Sequence, residues 1–321
     1  MDLDKIFISI PKMDGAAFDA VGIGLNAVDR IVTVDRYPAL GGKAAFRDER
    51  VLPGGQVATA MLAARTLGLP RVRYIGKVGD DAFGRIQLES LAAGGLDTAC
   101  VRVEPDTLNQ SALIVVDAAT GERTIFWQRS ERLDFRPGEL QPGAYCAAPV
   151  LHLDGHDEGM AVECARAARA RGILTVLDID KVRPRSREIL PHIDCCISSE
   201  SFPHALTGEA DLERALRGVA ALCPGLVAAT RGPRGVAGVW RSEYFEVPGY
   251  AIRCVDSTGA GDVFHGAFVY ALLQGWPLGR MLRFANAAAA LNCTAPGARG
   301  GLRPAADVIA FMESSQIGDR R

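Results

Sequence analysis

From about Val150 onward the chain alternates short apolar runs with helix-like stretches, and this alternation constrains its fold more than any other feature. Val150-Leu151-His152-Leu153 precedes a helical pattern over 160–171, and Leu174-Thr175-Val176-Leu177 precedes a charged loop. Leu226-Val227-Ala228-Ala229 reads as a buried strand, and the spacing predicts helices over 263–273 and 282–293. Parallel neighbours need crossover connections, and helices supply them. The expectation is an α/β three-layer sandwich, with a mostly parallel central sheet and helices on both faces.

The first half reads differently. Residues 1–17 form a short extension before a first core strand at 18–23. Strand-like pieces follow at 30–34 and 43–51, with turns at Tyr37-Pro38 and Gly41-Gly42 and no helix between them. Helical periodicity begins at Gln56, with Val57, Met61, Ala64 and Leu67 on one face. Residues 111–117 and 123–128 read as a hairpin around Ala119-Thr120-Gly121. These pieces predict a small β-sheet lid, assembled from about 30–52 and 107–130, over the mouth of the main sheet.

The sequence between Asp256 and Asp262 carries the chemistry. Asp256-Ser257-Thr258-Gly259-Ala260-Gly261-Asp262 is a glycine-punctuated turn running into an apolar helical stretch. Small residues leave its N–H groups uncovered, and a helix starting there adds unpaired donors and a positive dipole end. Such a turn can hold a phosphate. Asp262 at its mouth suits a base that takes a proton from an attacking hydroxyl. Asp is also a favoured helix cap, so the turn alone leaves both readings open.

Other constellations are weighed against it. Gly22-Ile23-Gly24-Leu25-Asn26-Ala27 matches a dinucleotide-binding fingerprint, yet the next residues alternate like a strand where that motif needs a helix. A nicotinamide site is set aside on that ground. Gly54 and Gly55, ahead of Gln56 and Thr59, allow close backbone approach to a polyol or simply cap a helix. Asn109-Gln110-Ser111 and Arg129 flank the lid hairpin and suit either substrate selection or turn chemistry. Thr230, Gly232 and Gly235 follow a buried strand, where open α/β sheets place ligand loops. No P-loop, H-E-x-x-H or G-x-S-x-G pattern is present.

Composition excludes some partners. With a net charge of −2, the chain offers no bulk basic field for nucleic acid or membrane surfaces. No run reaches the roughly 18 apolar residues of a membrane span, and the start lacks a signal-peptide pattern. Eight cysteines without a C-x-x-C pair, Cys195 and Cys196 being adjacent, read as reduced, partly buried thiols. A cytoplasmic location follows as the expectation.

The 256–262 segment resembles the C-terminal signature of the PfkB, or ribokinase-like, carbohydrate kinases, roughly D-T-x-G-A-G-D, with Ser257 for a common Thr. That family's earlier signature is matched by Gly54-Gly55-Gln56-Val57-Ala58-Thr59-Ala60 and by Gly76-Lys77-Val78-Gly79-Asp80-Asp81-Ala82-Phe83-Gly84. The resemblance covers about 18–303. It implies a ribokinase-like fold in which the γ-phosphate of Mg-ATP passes to a sugar hydroxyl, with Asp262 as base. The N–H groups of Gly259, Ala260 and Gly261 would stabilise the transferring phosphate. Asp29 aligns with a sugar-binding aspartate, beside Gly54, Gly55, Gln56 and Thr59. The nucleotide would lie along Thr230, Gly232, Gly235 and Thr258, with Asn286, Ala290 and Cys293 as its adenine wall. The 294–301 loop, with Gly297, resembles a potassium loop whose backbone carbonyls hold the ion, Asp256 and Thr258 completing the site, and a homodimer through the lid is implied.

The sequence also departs from the family. The N-x-x-E residues tied to magnesium are Ser199 and Phe202 here, with Glu200 between them as a substitute. Residues 261–267 and 289–294 resemble the branch containing sulfofructose kinase and ketohexokinase, which implies a ketose or ketose derivative. Arg129, Lys181 and Arg183 are candidates for an anionic substituent. Two alternatives stay open: a nucleoside kinase stacking a base on Tyr37, Phe46 or Trp127, and a non-catalytic sugar-binding regulator.

Overall fold

The structure, a computed structural model, describes residues 1–120 and 122–315; Gly121, in the predicted hairpin turn, lies outside them. The first half carries β1 (Ala20–Ile23), β2 (Ala27–Val34), β3 (Phe46–Gly54), β4 (Val72–Ile75), β5 (Lys77–Gly79), β6 (Arg102–Glu104), β7 (Ser111–Asp117) and β8 (Arg123–Gln128). The second half supplies β9 (Val150–Asp154), β10 (Leu174–Ile179), β11 (Cys195–Ser199), β12 (Leu226–Thr230), β13 (Val236–Trp240) and β14 (Glu243–Val247). The helices are α1 (Gln56–Leu67), α2 (Ala82–Ala93), the single turn α3 (Pro142–Tyr145), α4 (Glu158–Ala170) and the short α5 (Ser186–Ile189). They continue with α6 (Ser201–Thr207), α7 (Leu212–Ala220), α8 (Ala260–Leu273), α9 (Leu278–Asn292) and α10 (Ala305–Ser314).

Eight strands form the main sheet in the order β14-β13-β12-β11-β10-β9-β1-β4. β4, β1 and β9 to β12 run parallel, and β13 and β14 add an antiparallel edge. Every residue of β9 and β10 is buried, the signature of a sheet covered on both faces. One apolar core lies under α1, α8 and α9, and the other under α4, α6 and α7. Cys195 and Cys196 point into opposite cores and are fully buried, not partly so, because neighbouring strand residues face opposite sides.

The lid is a separate sheet, β3-β2-β7-β8, with β2 and β7 parallel. β1 passes into β2 through 24–26, so a strand follows the Gly22–Ala27 motif and no helix stands there to receive a pyrophosphate. Lid pairing begins at Ala27 and ends at Gly54, slightly wider than the sequence suggests.

Small residues draw α1 and α8 together. A Cβ on Gly266 would sit 2.2 Å from the Ala60 carbonyl oxygen, so the helices touch backbone to backbone. Gly54 and Gly259, at the starts of α1 and α8, both abut Ala298. Two helix N-termini therefore open side by side beneath the lid. Residues 1–17 are not a loose extension. Leu3, Ile6, Ile8 and Ile10 pack on the core, and the Leu278 N–H donates to the Ile6 carbonyl at 2.8 Å. No described helix is long and apolar enough to cross a membrane.

Candidate active site

Gly259 holds a left-handed conformation, φ 73°, and turns the chain sharply into α8. The Val263 N–H closes the first helical turn on the Gly259 carbonyl at 2.9 Å. The Ala260 N–H donates to the Ser257 carbonyl at 3.3 Å, so it is partly engaged and not the free donor expected from sequence. Gly261 is exposed, and a Cβ there would meet no atom within 4 Å. The N–H groups of Gly261 and Asp262, which have no intrahelical partner, are the donors left for a phosphate.

Asp262 is half-buried one step further along. Burial raises its proton affinity well above the usual carboxylate range, and the nearby Asp178 raises it further. Arg299 opposes that shift, while Asp29 and Asp154 add to it. Asp178 is itself paired with His265, one turn along α8, at 3.4 Å, and this pairing keeps it below the ordinary range despite burial.

Asp29 lies on β2 facing the start of α1, where a Cβ on Gly54 would stand 3.2 Å from its Oδ2. Burial, then the charge of Asp256, pushes its pKa up to about 6, with Arg299 opposing. Gly55 has φ 95°, and a Cβ there would lie 2.3 Å from the Asn26 Cα, so only glycine brings α1 this close to β2. The Gln56 Oε1 beside it is buried without a protein partner among the described residues.

Thr59 does not line the site. It is fully buried, and its hydroxyl accepts from Arg299 Nε at 3.1 Å. The same guanidinium donates to Ser90 Oγ and to the Gly54 carbonyl, both at 2.9 Å. Thr59 thus acts through Arg299, which fixes the glycine step next to Asp29. Asn109 is fully buried as well. Its Oδ1 accepts the Gly79 N–H at 3.1 Å and its Nδ2 donates to the Gln110 carbonyl, so it braces a loop.

Arg129 pairs with Asp134 at 2.6 Å and lines a small cavity with Asn26, Gln110, Asp154 and His156. Arg183 is turned onto the His156 ring at 3.2 Å, and Lys181 is exposed. Asn26 Nδ2 donates to Tyr74 Oη and to the Lys77 carbonyl, leaving Oδ1 as a fixed acceptor. Asn26 Oδ1, Gln110 Oε1 and Arg129 Nε are buried and lack protein partners among the described residues. Asp154 accepts the Leu25 N–H at 2.6 Å and the His156 N–H at 3.0 Å.

On the other side of the turn lies a cavity of about 470 Å³. Thr230, Gly232, Gly235, Asn286, Ala290 and Cys293 all line it, together with Ala260 and Gly261. Its size and largely apolar wall fit a nucleotide. Thr258 is not part of that lining and Ser257 takes its place, because the Thr258 hydroxyl donates to Asp256 Oδ1 at 2.7 Å.

Of the residues expected for potassium, Asp256 has its carboxylate already engaged. Asp256 accepts the Thr258 and Gly297 N–H groups, each at 2.9 Å, and pairs with Arg123 at 3.2 Å. Glu200 is likewise paired, with Arg231 at 3.6 Å and with Arg234, so it is no free magnesium ligand. Ser199 bonds the Asp180 carbonyl, and Phe202 is fully buried in the core. Sequence reasoning missed Asn26, Asp154, Asp178 and Arg299. Only Arg299 carried a signal, as a cation inside a glycine-rich loop.

The pfkB family carbohydrate kinase profile matches residues 19–305. The chain is 30% identical to the ribokinase of Bacillus subtilis strain 168 over 289 residues, 87% of this chain and 94% of that protein. It is 28% identical to fructokinase-1 of Oryza sativa subsp. japonica, over 82% and 89% of the two chains. The solved Arabidopsis thaliana ribokinase complexed with ribose and ATP superposes with a TM-score of 0.81 at 24% identity, covering 92% of this chain and 99% of that one, a likeness of fold. With a ribokinase-like sandwich, a lid and an open glycine turn at the start of α8 in place, this chain belongs to the PfkB family of carbohydrate kinases.

Proposed function

We propose that this protein is an ATP-dependent sugar kinase that phosphorylates a primary hydroxyl of an uncharged monosaccharide, a ketose before ribose. One observation carries the reading. Asp262, with raised proton affinity, stands at the open N-terminus of α8, and the nucleotide-sized cavity reaches that same turn.

The residues present divide the work. Asp262 takes the proton of the attacking hydroxyl, and its raised affinity makes it the stronger base. Asp29 accepts hydroxyls of the same sugar beside the Gly54–Gly55 step. The N–H groups of Gly261 and Asp262, at the positive end of α8, stabilise charge building on the phosphate. Mg-ATP supplies the phosphoryl group, and the cavity along 230–235 and 286–293 would hold it. Magnesium commonly keeps several waters and needs few protein ligands, so the paired Glu200 is no obstacle. Potassium is given no step, because the Asp256 carboxylate already faces the Arg123 guanidinium.

The lining of a small cavity of about 20 Å³ supports an uncharged acceptor. It offers two acceptor oxygens, Asn26 Oδ1 and Gln110 Oε1, and one donor, Arg129 Nε, next to the Asp154 carboxylate. A hydroxyl both donates and accepts and matches such a set. A phosphate or sulfonate would meet carboxylates, while Lys77 is taken by Glu104 and Glu139 and Arg129 by Asp134. Tyr37, Phe46 and Trp127 are 41%, 58% and 69% exposed and line neither cavity, which counts against a nucleoside acceptor.

We take 18–303 as the kinase domain and its lid as a dimer surface. Phe46, Ile125 and Trp127 are all more than half exposed, an apolar face suited to a second copy. Eight free cysteines suit a reducing cytoplasm, where ATP is supplied. A coupled ADP-release screen over neutral ketoses and aldoses, their phosphates and sulfonates, and nucleosides tests the reading. A neutral monosaccharide is expected to give the highest kcat/KM. Sugar binding without ADP release across the whole panel would favour the non-catalytic regulator.

A further inference from the structure

Arg123 leaves β8 of the lid and reaches the base of the phosphate turn. Its Nη2 stands 3.2 Å from Asp256 Oδ1, and its Nη1 donates to Thr258 Oγ1 at 3.4 Å. Asp256 also takes the Thr258 hydroxyl at 2.7 Å, the Thr258 N–H at 2.9 Å and, through Oδ2, the Gly297 N–H at 2.9 Å. Three separate segments therefore meet on one carboxylate: the lid, the approach to α8, and the loop after α9.

Charge explains why a cation belongs there. Asp178, Asp29 and Asp154 all raise the proton affinity of Asp262, and Asp29 also senses Asp256. Arg299 offsets Asp262 and Asp29, but three hydrogen bonds hold it at Thr59, Ser90 and Gly54. At Asp256 the facing cation is Arg123. A guanidinium is permanently charged and offers several donors in a fixed plane, so it can bridge a carboxylate and a hydroxyl as two ligands of one ion would.

We propose that Arg123 is a built-in replacement for a monovalent cation at the 256–258 and 297 junction. It is a positioning residue: its charge holds Asp256, Thr258 and the 297 loop so that the first turn of α8 stays open to phosphate. The lid delivers this charge, so ordering of the turn depends on lid position and turnover does not depend on potassium. The inference rests on the sugar kinase reading.

The test is ADP release with the best neutral monosaccharide, in potassium chloride and in tetramethylammonium chloride at equal ionic strength. Wild-type kcat is expected to agree within about twofold between the salts. Arg123→Ala in tetramethylammonium should lose about 10–150-fold in kcat, the worth of a charged hydrogen bond. Potassium or free guanidinium should restore part of it, and Arg123→Lys should keep most of it. Calorimetric sugar affinity and the melting curve of Arg123→Ala should stay near wild type.

Strong potassium activation of the wild type, with Arg123→Ala responding in the same way, overturns the proposal. So does an Arg123→Ala effect confined to the sugar KM, which would mark a simple lid contact. If no sugar supports ADP release in either salt, the kinase reading fails and this one falls with it, a result unlike either of the other two.

Discussion

Gly259 and Gly261 sit two residues apart in the phosphate turn, yet the structure assigns them opposite sensitivities. A valine at Gly259 must adopt φ near 73°, and its Cβ would lie 2.4 Å from the Ala298 carbonyl oxygen. The left-handed conformation costs about 1–3 kcal/mol and overpacking against backbone about 1–3 more. That is a large part of the roughly 5–15 kcal/mol that holds a typical domain folded. At Gly261 the backbone angle is ordinary and the Cβ position is open to 4 Å. Exchanging glycine for a β-branched residue in a helix then changes stability by no more than about 1 kcal/mol. The added methyl groups would instead fill the space a phosphate must enter. Urea unfolding and ADP release on both variants separate the effects. Gly259→Val should lose stability, whereas Gly261→Val should unfold like the wild type and lose about 10²–10³ in kcat, the worth of a donor to developing charge. Retention of a tenth of wild-type turnover by well-folded Gly261→Val would refute the placement of the phosphate.

Asp262→Asn should keep the fold and the nucleotide affinity and lower kcat by about 10²–10⁴, measured by steady-state kinetics and nucleotide calorimetry on one preparation. Asp29 titrates near 6 in the folded protein against an ordinary 3.8, so the folded state holds its proton more tightly. Its contribution to stability is therefore fully present below pH 3.8 and is lost as pH rises through about 6. On the proposed role of Asp29 as acceptor of sugar hydroxyls, the ionised form binds better, so calorimetric affinity should weaken below about pH 6, and Asp29→Asn should abolish that dependence. Arg299→Met should lower the unfolding free energy by about 3–5 kcal/mol, the range for breaking a buried charged network. Arg299→Lys should keep the charge that restrains Asp262 and still lose stability, since one ammonium cannot reproduce the fork; equal stability to wild type in chemical denaturation would count against this.

The sheet, the lid and the phosphate turn were readable in sequence because each is written in local order. β9 and β10 appear as unbroken apolar runs, β7 and β8 as a hairpin, and 256–262 as a glycine-spaced turn. What stayed hidden is what joins distant segments. Asp154 meets Leu25 across 129 residues, and Arg299 meets Thr59 across 240. Neither leaves a periodic trace. Direction is hidden as well: Asn109 and Thr59 have suitable chemistry, but their side chains turn inward to Gly79 and Arg299. The pairing of Glu200 is hidden too, because its partners Arg231 and Arg234 lie beyond the next strand.

The place of β1 has a consequence for how the protein is made. It pairs with β4 on one side and with β9 on the other, and β9 ends only at Asp154. A ribosome delivers the chain from its N-terminus, so β1 and the Leu25 backbone must wait for half the chain before both neighbours exist. The opening segment waits longer still, because Leu3 and Ile6 dock on α9, which ends at Asn292. During synthesis Leu3 and Ile6 are left without their seat until α9 has emerged. Pairings of such long sequence separation form slowly and leave sticky surface uncovered meanwhile. The nascent chain, more than the finished enzyme, is where this fold is open to chaperones and to aggregation.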